Sequence, residues 1–382
     1  MSQEPAPPQT PGETTPTPTS PGPESPPPEL ERSGTGCGSV AYVLITALLL
    51  MGGVVVWRVS QWRAAAPPPP PLELSTCLVP KASLLQGALP GSIPRLTRVR
   101  TLTPEEADTT KIRRGKFLVK GDLVIGVARG QEAMAYPLRF LVWHEVVEHE
   151  LGGVPLAICY GPWDGGVGVF DRRPIRPDGT QLPAPREFFP AGVVSNSAQL
   201  IGDTPHGAQA TPESLWSSLQ ARAVTGPAAK EGLTLRRVPA EVIRWEDWRA
   251  LHPETRVLAH DDQRLKLYGR APYKTYLGSD SLQFPVDPLP PPGIPRKAAI
   301  LAVRLGDDWR VYPVDALVEA SLAGQSEVRF GERQLRFQAW RNDEKPATAR
   351  FLDPVDEVVR AYWFAWYAAR PEARTLAEDF AP

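Results

Sequence analysis

Two stretches of this chain repeat each other at a fixed spacing, and that spacing constrains the fold more than any single motif does. VIGV (Val124–Val127) is followed by a turn and then by AMAYP, ending at Tyr136–Pro137. ILAV (Ile300–Val303) is followed by LGDD and then WRVYP, ending at Tyr312–Pro313. Val127 and Val303, Tyr136 and Tyr312, and Leu141 and Leu317 are each 176 positions apart. A second pair, WEDWRALHPETRVL (Trp245–Leu258) and WFAWYAARPEARTL (Trp363–Leu376), matches at a separation of 118. Trp245/Trp363, Trp248/Trp366, Pro253/Pro371, Glu254/Glu372, Arg256/Arg374 and Leu258/Leu376 are identical. The drop from 176 to 118 places an insertion of 58 residues in the first copy, over much of Asp171–Glu241.

Each copy reads as hairpin, helix, hairpin, helix. In the first, VIGV and AMAYP pair, LRFLVWHEVVEHEL is helical and stops at Gly152–Gly153, and PLAICY pairs with VGVFDR around GPWDGG. In the second, VDALVEASL is a helix, EVRF, LRFQAW and TARFL are strands, and PVDEVVRAYWFAWYAA closes the chain as a helix. The expected class is α+β with largely antiparallel sheets and an internal duplication. The units run from about 116 to 260 and from about 295 to 378, joined by the Pro-rich linker Asp287–Pro295. Neither unit is large enough to bury a comfortable core alone, so the two are expected to pack as one pseudo-symmetric body.

Upstream of the repeats, residues 1–39 are Pro, Thr, Ser, Glu and Gly with almost no large apolar side chain, a composition that predicts disorder. Residues 40–57, VAYVLITALLLMGGVVVW, carry no charge and predict one transmembrane helix. Residues 58–77 form a Pro-rich spacer, and 78–382 a soluble domain. The membrane is therefore an expected partner. Nucleic acid is not: the net charge is −1 and no dense Lys/Arg run exists. The three cysteines, Cys37, Cys77 and Cys159, form no CxxC pair. No phosphate-binding glycine loop and no GxSxG nucleophile turn is present.

The densest chemistry lies in HEVVEH, His144 to His149. It resembles the zinc motif HExxH, but histidines five apart lie roughly 140° apart around a helix and do not clamp one metal. Two histidine–carboxylate pairs, His144 with Glu148 and Glu145 with His149, share helix faces. The competing reading is a polar helix end held by ion pairs. Arg139 has no basic counterpart in the second copy, where Asp315 stands, and this marks it as a site candidate.

The segment AYPLRFLVWHEVVEHELGGVPLAICYGPWDGGVGVFDRR (Ala135–Arg173) resembles the hallmark of the bacterial family called domain of unknown function 3179. Glu213–Pro227, Trp245–Leu258, Ala271–Tyr276 (APYKTY) and Phe284–Val286 (FPV) are similar to further blocks of that family. The resemblance covers roughly Thr103 to Leu376 and implies an exported or membrane-anchored, extracytoplasmic domain. The family pattern has a Tyr-Cys-Pro-x-Cys turn, whereas this chain has Tyr160-Gly161-Pro162-Trp163-Asp164. A thiolate metal or dithiol site on those positions is excluded, and Cys159 points to the opposite strand face from Tyr160. The resemblance then implies a catalytically degenerate member that binds a ligand or partner. The alternative is a metal-dependent hydrolase using His144, Glu145 and Asp164, with the Cys-to-Asp change making a harder, oxygen-rich site. No cofactor is expected. Either way His144 is expected near the Tyr160–Asp164 turn, with Asp164 as its acceptor.

Overall fold

A computed structural model of the chain describes residues 44–53 and, from 72 to 380, all but 73, 89–90, 95, 97–98, 113–114, 205–211 and 343–344. The chain divides into two units, Met1–Pro67 and Pro68–Pro382. In the first, residues 44–53 are helical and exposed throughout. Ten residues rise about 15 Å, half of the roughly 30 Å of a bilayer's hydrocarbon. Among the described residues no helix is long and apolar enough to cross a membrane. The expected transmembrane helix over 40–57 is corrected accordingly. Residues 40–43 and 54–57 lie outside the described residues, as do the tail 1–39 and the spacer up to residue 71.

The second unit is α+β, built on antiparallel sheets. Its two sequence copies follow the same geometric plan. In the first, Leu123–Arg129 pairs with Glu132–Pro137, with Ile125 opposite Tyr136 and Val127 opposite Met134. In the second, Ala299–Leu305 pairs with Asp308–Pro313, with Leu301 opposite Tyr312 and Val303 opposite Arg310. Both registers agree at the 176-residue separation, and both turns carry a left-handed glycine, Gly130 at φ +60° and Gly306 at φ +61°. A helix follows each hairpin directly after its Tyr-Pro, over Leu138–His144 and Val314–Leu322. Proline's fixed φ ends the strand and pre-sets the helical turn.

A third strand joins each hairpin: Glu241–Arg244 against Leu123–Arg129, and Glu357–Tyr362 against Ala299–Leu305. Each strand leads into a tryptophan helix, Trp245–Leu251 and Trp363–Ala369. The indole N–H of buried Trp248 donates to Thr255 Oγ1 at 2.9 Å, and that of Trp366 donates to the Ala373 carbonyl at 2.7 Å. Positions 248 and 366, and 255 and 373, are again 118 apart.

Between helix and third strand each copy carries a three-stranded meander. The first is Val146–Leu151, Val154–Tyr160 and Val167–Asp171; the second is Glu327–Phe330, Arg333–Asn342 and Lys345–Phe351. The copies exchange these. Val167–Asp171 pairs with Glu357–Tyr362 of the second copy, completing a six-stranded antiparallel sheet. Lys345–Phe351 lies against Glu241–Arg244 of the first copy, where Arg350 Nη1 meets Glu241 Oε2 at 3.5 Å. The insertion contributes four strands of a five-stranded sheet, Glu187–Ser195, Ala198–Thr204, Ser214–Ser217 and Arg222–Ala223 in that order, and Leu84–Gln86 from upstream of the repeats forms its edge against Glu187–Ser195.

Two expected helices are corrected. LRFLVWHEVVEHEL is helical only to His144; Glu145 turns at φ +59°, and Val146–Leu151 is a strand. Gly152 and Gly153, at φ +55° and +71°, turn a hairpin into Val154–Tyr160 rather than stop a helix. PVDEVVRAYWFAWYAA is helical only from Trp363, because Glu357–Tyr362 is needed as a sheet strand. In both places β-branched valines fit a paired, half-buried strand, and pairing outweighs local helix propensity.

One expectation follows from the matched tryptophans. A Cβ at Gly126 would stand 2.3 Å from the Trp248 ring, whereas the second copy carries Ala302 at the corresponding place. Gly126→Ala is expected to destabilise by about 1–3 kcal/mol through overpacking. Ala302→Gly is expected to cost only about 0.5–1 kcal/mol. Urea unfolding of both variants measures the asymmetry; equal losses would mean that the Trp248 ring yields freely.

Candidate functional site

The turn Tyr160–Gly166 is closed by Gly161 N–H donating to the Gly166 carbonyl at 2.9 Å. Inside it Asp164 is fully buried. Its Oδ1 accepts from Gly166 N at 2.7 Å and its Oδ2 from Gln199 N at 2.6 Å. Its own carbonyl accepts from Tyr362 N at 2.7 Å. A side chain at 161 would collide with it, since a Cβ there would stand 2.1 Å from Asp164 Oδ1. The carboxylate thus fills the volume that a residue-161 side chain would need. Gly161 and Asp164 are therefore matched to each other, the missing side chain of one making room for the carboxylate of the other. Burial pushes the Asp164 carboxyl up to about 7, against the backbone N–H groups that favour its charged form.

Glu145 is the second buried acid. A positive φ is rare for a residue with a side chain and costs on the order of 1–3 kcal/mol. Here it reverses the chain at the helix end and aims the carboxyl at Asp164. Gln199 joins the two acids: its backbone N–H serves Asp164 and its side-chain amide donates to Glu145 Oε2. Burial first and the Asp164 charge second push Glu145 up to about 8, while the Gln199 hydrogen bond opposes them. A second carboxyl in the same dry site adds to the effect of burial in holding the proton on Glu145.

His144, one residue earlier, takes the other direction. Its Nδ1 lies 2.7 Å from the Pro94 carbonyl and its Nε2 2.7 Å from the Tyr268 hydroxyl. A carbonyl only accepts, so Nδ1 carries the proton, and the neutral ring's Nε2 accepts from Tyr268. Burial lowers the His144 pKa and so favours that neutral form. Both ring nitrogens are occupied, and Asp164 is not among the partners. Of the expected trio, the fold brings together Glu145 and Asp164 and leaves His144 outside.

The remaining candidates are scattered. Arg139 Nη1 binds Asp122 Oδ2 and the Phe117 carbonyl, each at 3.2 Å. His149 Nδ1 lies 2.7 Å from the Tyr136 hydroxyl. Cys159 is a free thiol, buried, and burial pushes its pKa upward. Among the described residues no group of three or more His, Cys, Asp or Glu side chains is placed to hold a metal ion.

Around the acid pair stands an aromatic wall that the sequence did not single out. Trp163 meets Tyr273, Tyr276 and Phe284 edge-on, at ring-centroid distances of 4.6, 5.0 and 5.7 Å. The Tyr276 hydroxyl donates to the Trp163 carbonyl at 2.7 Å. Lys297 Nζ sits 3.4 Å from the Tyr276 ring centroid and donates to the Ser279 carbonyl at 2.7 Å. Tyr273, Tyr276 and Phe284 belong to the APYKTY and FPV blocks, whose similarity to family blocks was the one signal available. Gln199 lies in the insertion, and Tyr362 in the stretch read as helix; neither carried a signal.

A family model described as protein of unknown function (DUF3179) matches residues 91–352. No curated protein matches, and no solved structure matches.

The acid pair has a pH signature. Both carboxyls bind protons more firmly folded than unfolded, so their contribution to stability is fully present below the ordinary carboxylate range near pH 4. It is lost as pH rises through about 7 and 8. Glu145→Gln is expected to flatten the fall in unfolding free energy between pH 5 and 9 by on the order of 2 kcal/mol. Denaturant titrations of wild type and variant across that range measure it. Parallel curves would show Glu145 titrating as it does in water.

Proposed function

The chain belongs to the DUF3179 family of proteins of unknown function, and from that premise we propose that this member is a binding domain without hydrolytic chemistry. Its ligand is received at the half-buried aromatic surface over the Tyr160–Gly166 turn. The observation that carries this reading is the occupancy of His144: both ring nitrogens are engaged, one by Pro94 and one by Tyr268. A metal-dependent hydrolase built on His144, Glu145 and Asp164 needs those three groups to converge on one point. Glu145 and Asp164 instead take hydrogen bonds from Gln199 and Gly166, and Cys159 is shut in the core.

The binding half of the reading is supported by exposure. Trp163, Tyr273 and Phe284 are partly open to solvent, whereas most large aromatics of this unit lie in the core. Edge-to-face rings that are only half covered offer stacking area at little further cost in side-chain entropy, and aromatic residues are favoured as binding anchors for that reason.

Two measurements on the full chain test this. With p-nitrophenyl acetate and p-nitrophenyl phosphate, in the presence of Zn²⁺ or Mn²⁺, turnover is expected to equal that of Glu145→Gln. A rate that falls 100-fold or more in a folded Glu145→Gln variant would establish the hydrolase instead. In saturation-transfer NMR, indole and phenol are expected to contact wild type and to lose that contact in Trp163→Ala. Equal transfer to both proteins would remove the aromatic surface as the binding site.

A further inference from the structure

Most half-buried or buried arginines among the described residues are paired with a carboxylate. Arg237 meets Glu357 at 2.5 Å, Arg186 meets Asp203 at 2.6 Å, Arg244 meets Asp247 at 2.5 Å and Arg172 meets Glu148 at 3.1 Å. Each pairing offsets the cost of taking a guanidinium out of water. Arg360 departs from this pattern. It is half-buried, and burial lowers its pKa. Yet among the described residues no carboxylate lies within 4.0 Å of it and no hydrogen bond reaches it. Asp315 acts on it only from beyond ion-pair range. Neither Asp164 nor Glu145 pairs with it; their carboxyl oxygens take hydrogen bonds from Gly166 and Gln199.

The sheet shows what surrounds this guanidinium. Val167 is opposite Tyr160 on one side and Arg360 on the other. Directly opposed residues of antiparallel strands project to the same face. Tyr362, two residues beyond Arg360 on its strand, shares that face, and its ring packs on Gly165, where an added Cβ would be 2.8 Å away. Tyr160, Arg360 and Tyr362 thus share one face of the sheet, and Asp164 and Tyr273 lie close enough to act on the Tyr160 hydroxyl. Among the described residues neither the Tyr160 nor the Tyr362 hydroxyl has a hydrogen-bond partner, and both residues are half-buried. Tyr273 links the cluster to Trp163, at 4.6 Å between ring centroids.

We propose that Arg360, Tyr160 and Tyr362 form an oxyanion subsite that receives the carboxylate or phosphate of a ring-bearing ligand. This names the ligand class for the binding surface inferred above, and it rests on that reading. A guanidinium presents a planar fork of donors that matches a carboxylate or phosphate bidentately. Two phenol hydroxyls supply further donors, and the Trp163–Tyr273 surface takes the ring. The ligand's charge would complete the pairing that every other arginine named above finds within the protein.

The test is titration of the full-length protein with benzoate, phenyl phosphate and the neutral phenol, followed by NMR or calorimetry. Benzoate or phenyl phosphate is expected to bind at least 10-fold more tightly than phenol, and the tighter of the two identifies the oxyanion. Arg360→Gln is expected to abolish that advantage, Arg360→Lys to retain part of it, and Tyr362→Phe to weaken it a few-fold. Removing a half-buried charge that has no carboxylate partner is expected to leave the Tm unchanged or higher without ligand, as happens where stability was given up for function. If Arg360→Gln lowers the Tm, Arg360 is a structural residue and the proposal falls. It falls equally if the anions bind no better than phenol, or as well to Arg360→Gln as to wild type. Phenol binding that persists in those cases leaves the aromatic surface standing as a site, whereas loss of all three probes overturns both readings.

Discussion

The buried Asp164 carboxyl is the constraint on which the rest of this architecture turns. Taken out of water unpaired, it would cost several kcal/mol. The carboxyl is satisfied from two separate parts of the chain, and the residue's backbone engages a third. Gly166 of its own turn supplies one N–H and Gln199 of the inserted sheet a second. Through the Asp164 carbonyl, the second copy's Tyr362 is tied in as well. Because an unmet acceptor in a dry site is penalised more heavily than a met one is rewarded, this residue fixes the insertion against the repeat and the repeat against its partner. Arg237, running from the end of the insertion to Glu357, reinforces the same junction.

Much of the scaffold was legible because it depends on local, periodic signals. The hairpins at Val124 and Ile300, the Tyr-Pro helix starts and the tryptophan helices are written in spacing that both copies share. The errors fall where tertiary pairing overrides local preference. Val146–Leu151 and Glu357–Tyr362 have sequences compatible with a helix, and only partners far along the chain make them strands. The apolar run at 40–57 was read by composition alone, while the described helix there covers ten residues.

The site was legible in its residues but not in its directions. His144 and Glu145 are adjacent, and sequence reasoning placed both on one helix and in one candidate site with Asp164. A single positive φ at Glu145 sends the two side chains to different neighbours. Sequence patterns report which residue types occur and at what spacing; they do not report a left-handed backbone at a non-glycine position. In the same way, the pairing of Gly161 with Asp164 reads as two unrelated residues in sequence. In space it is one carboxylate occupying the room that a side chain at 161 would have required.

The exchange of meanders between the copies has a consequence for how the chain acquires its fold. Val167–Asp171 finds its sheet partner in Glu357–Tyr362, nearly two hundred residues later. At about 5–20 residues per second of synthesis, that edge waits roughly 10–40 s with its backbone donors and acceptors open. Long-range antiparallel pairing of this kind raises contact order and slows the final closure, and an open strand edge invites pairing with other chains in the interval. The strand's five residues, VGVFD, are buried once the sheet is complete. The nascent protein is therefore most vulnerable to self-association until its last tenth is made, and the inserted sheet, which follows directly, is the first structure available to shield it.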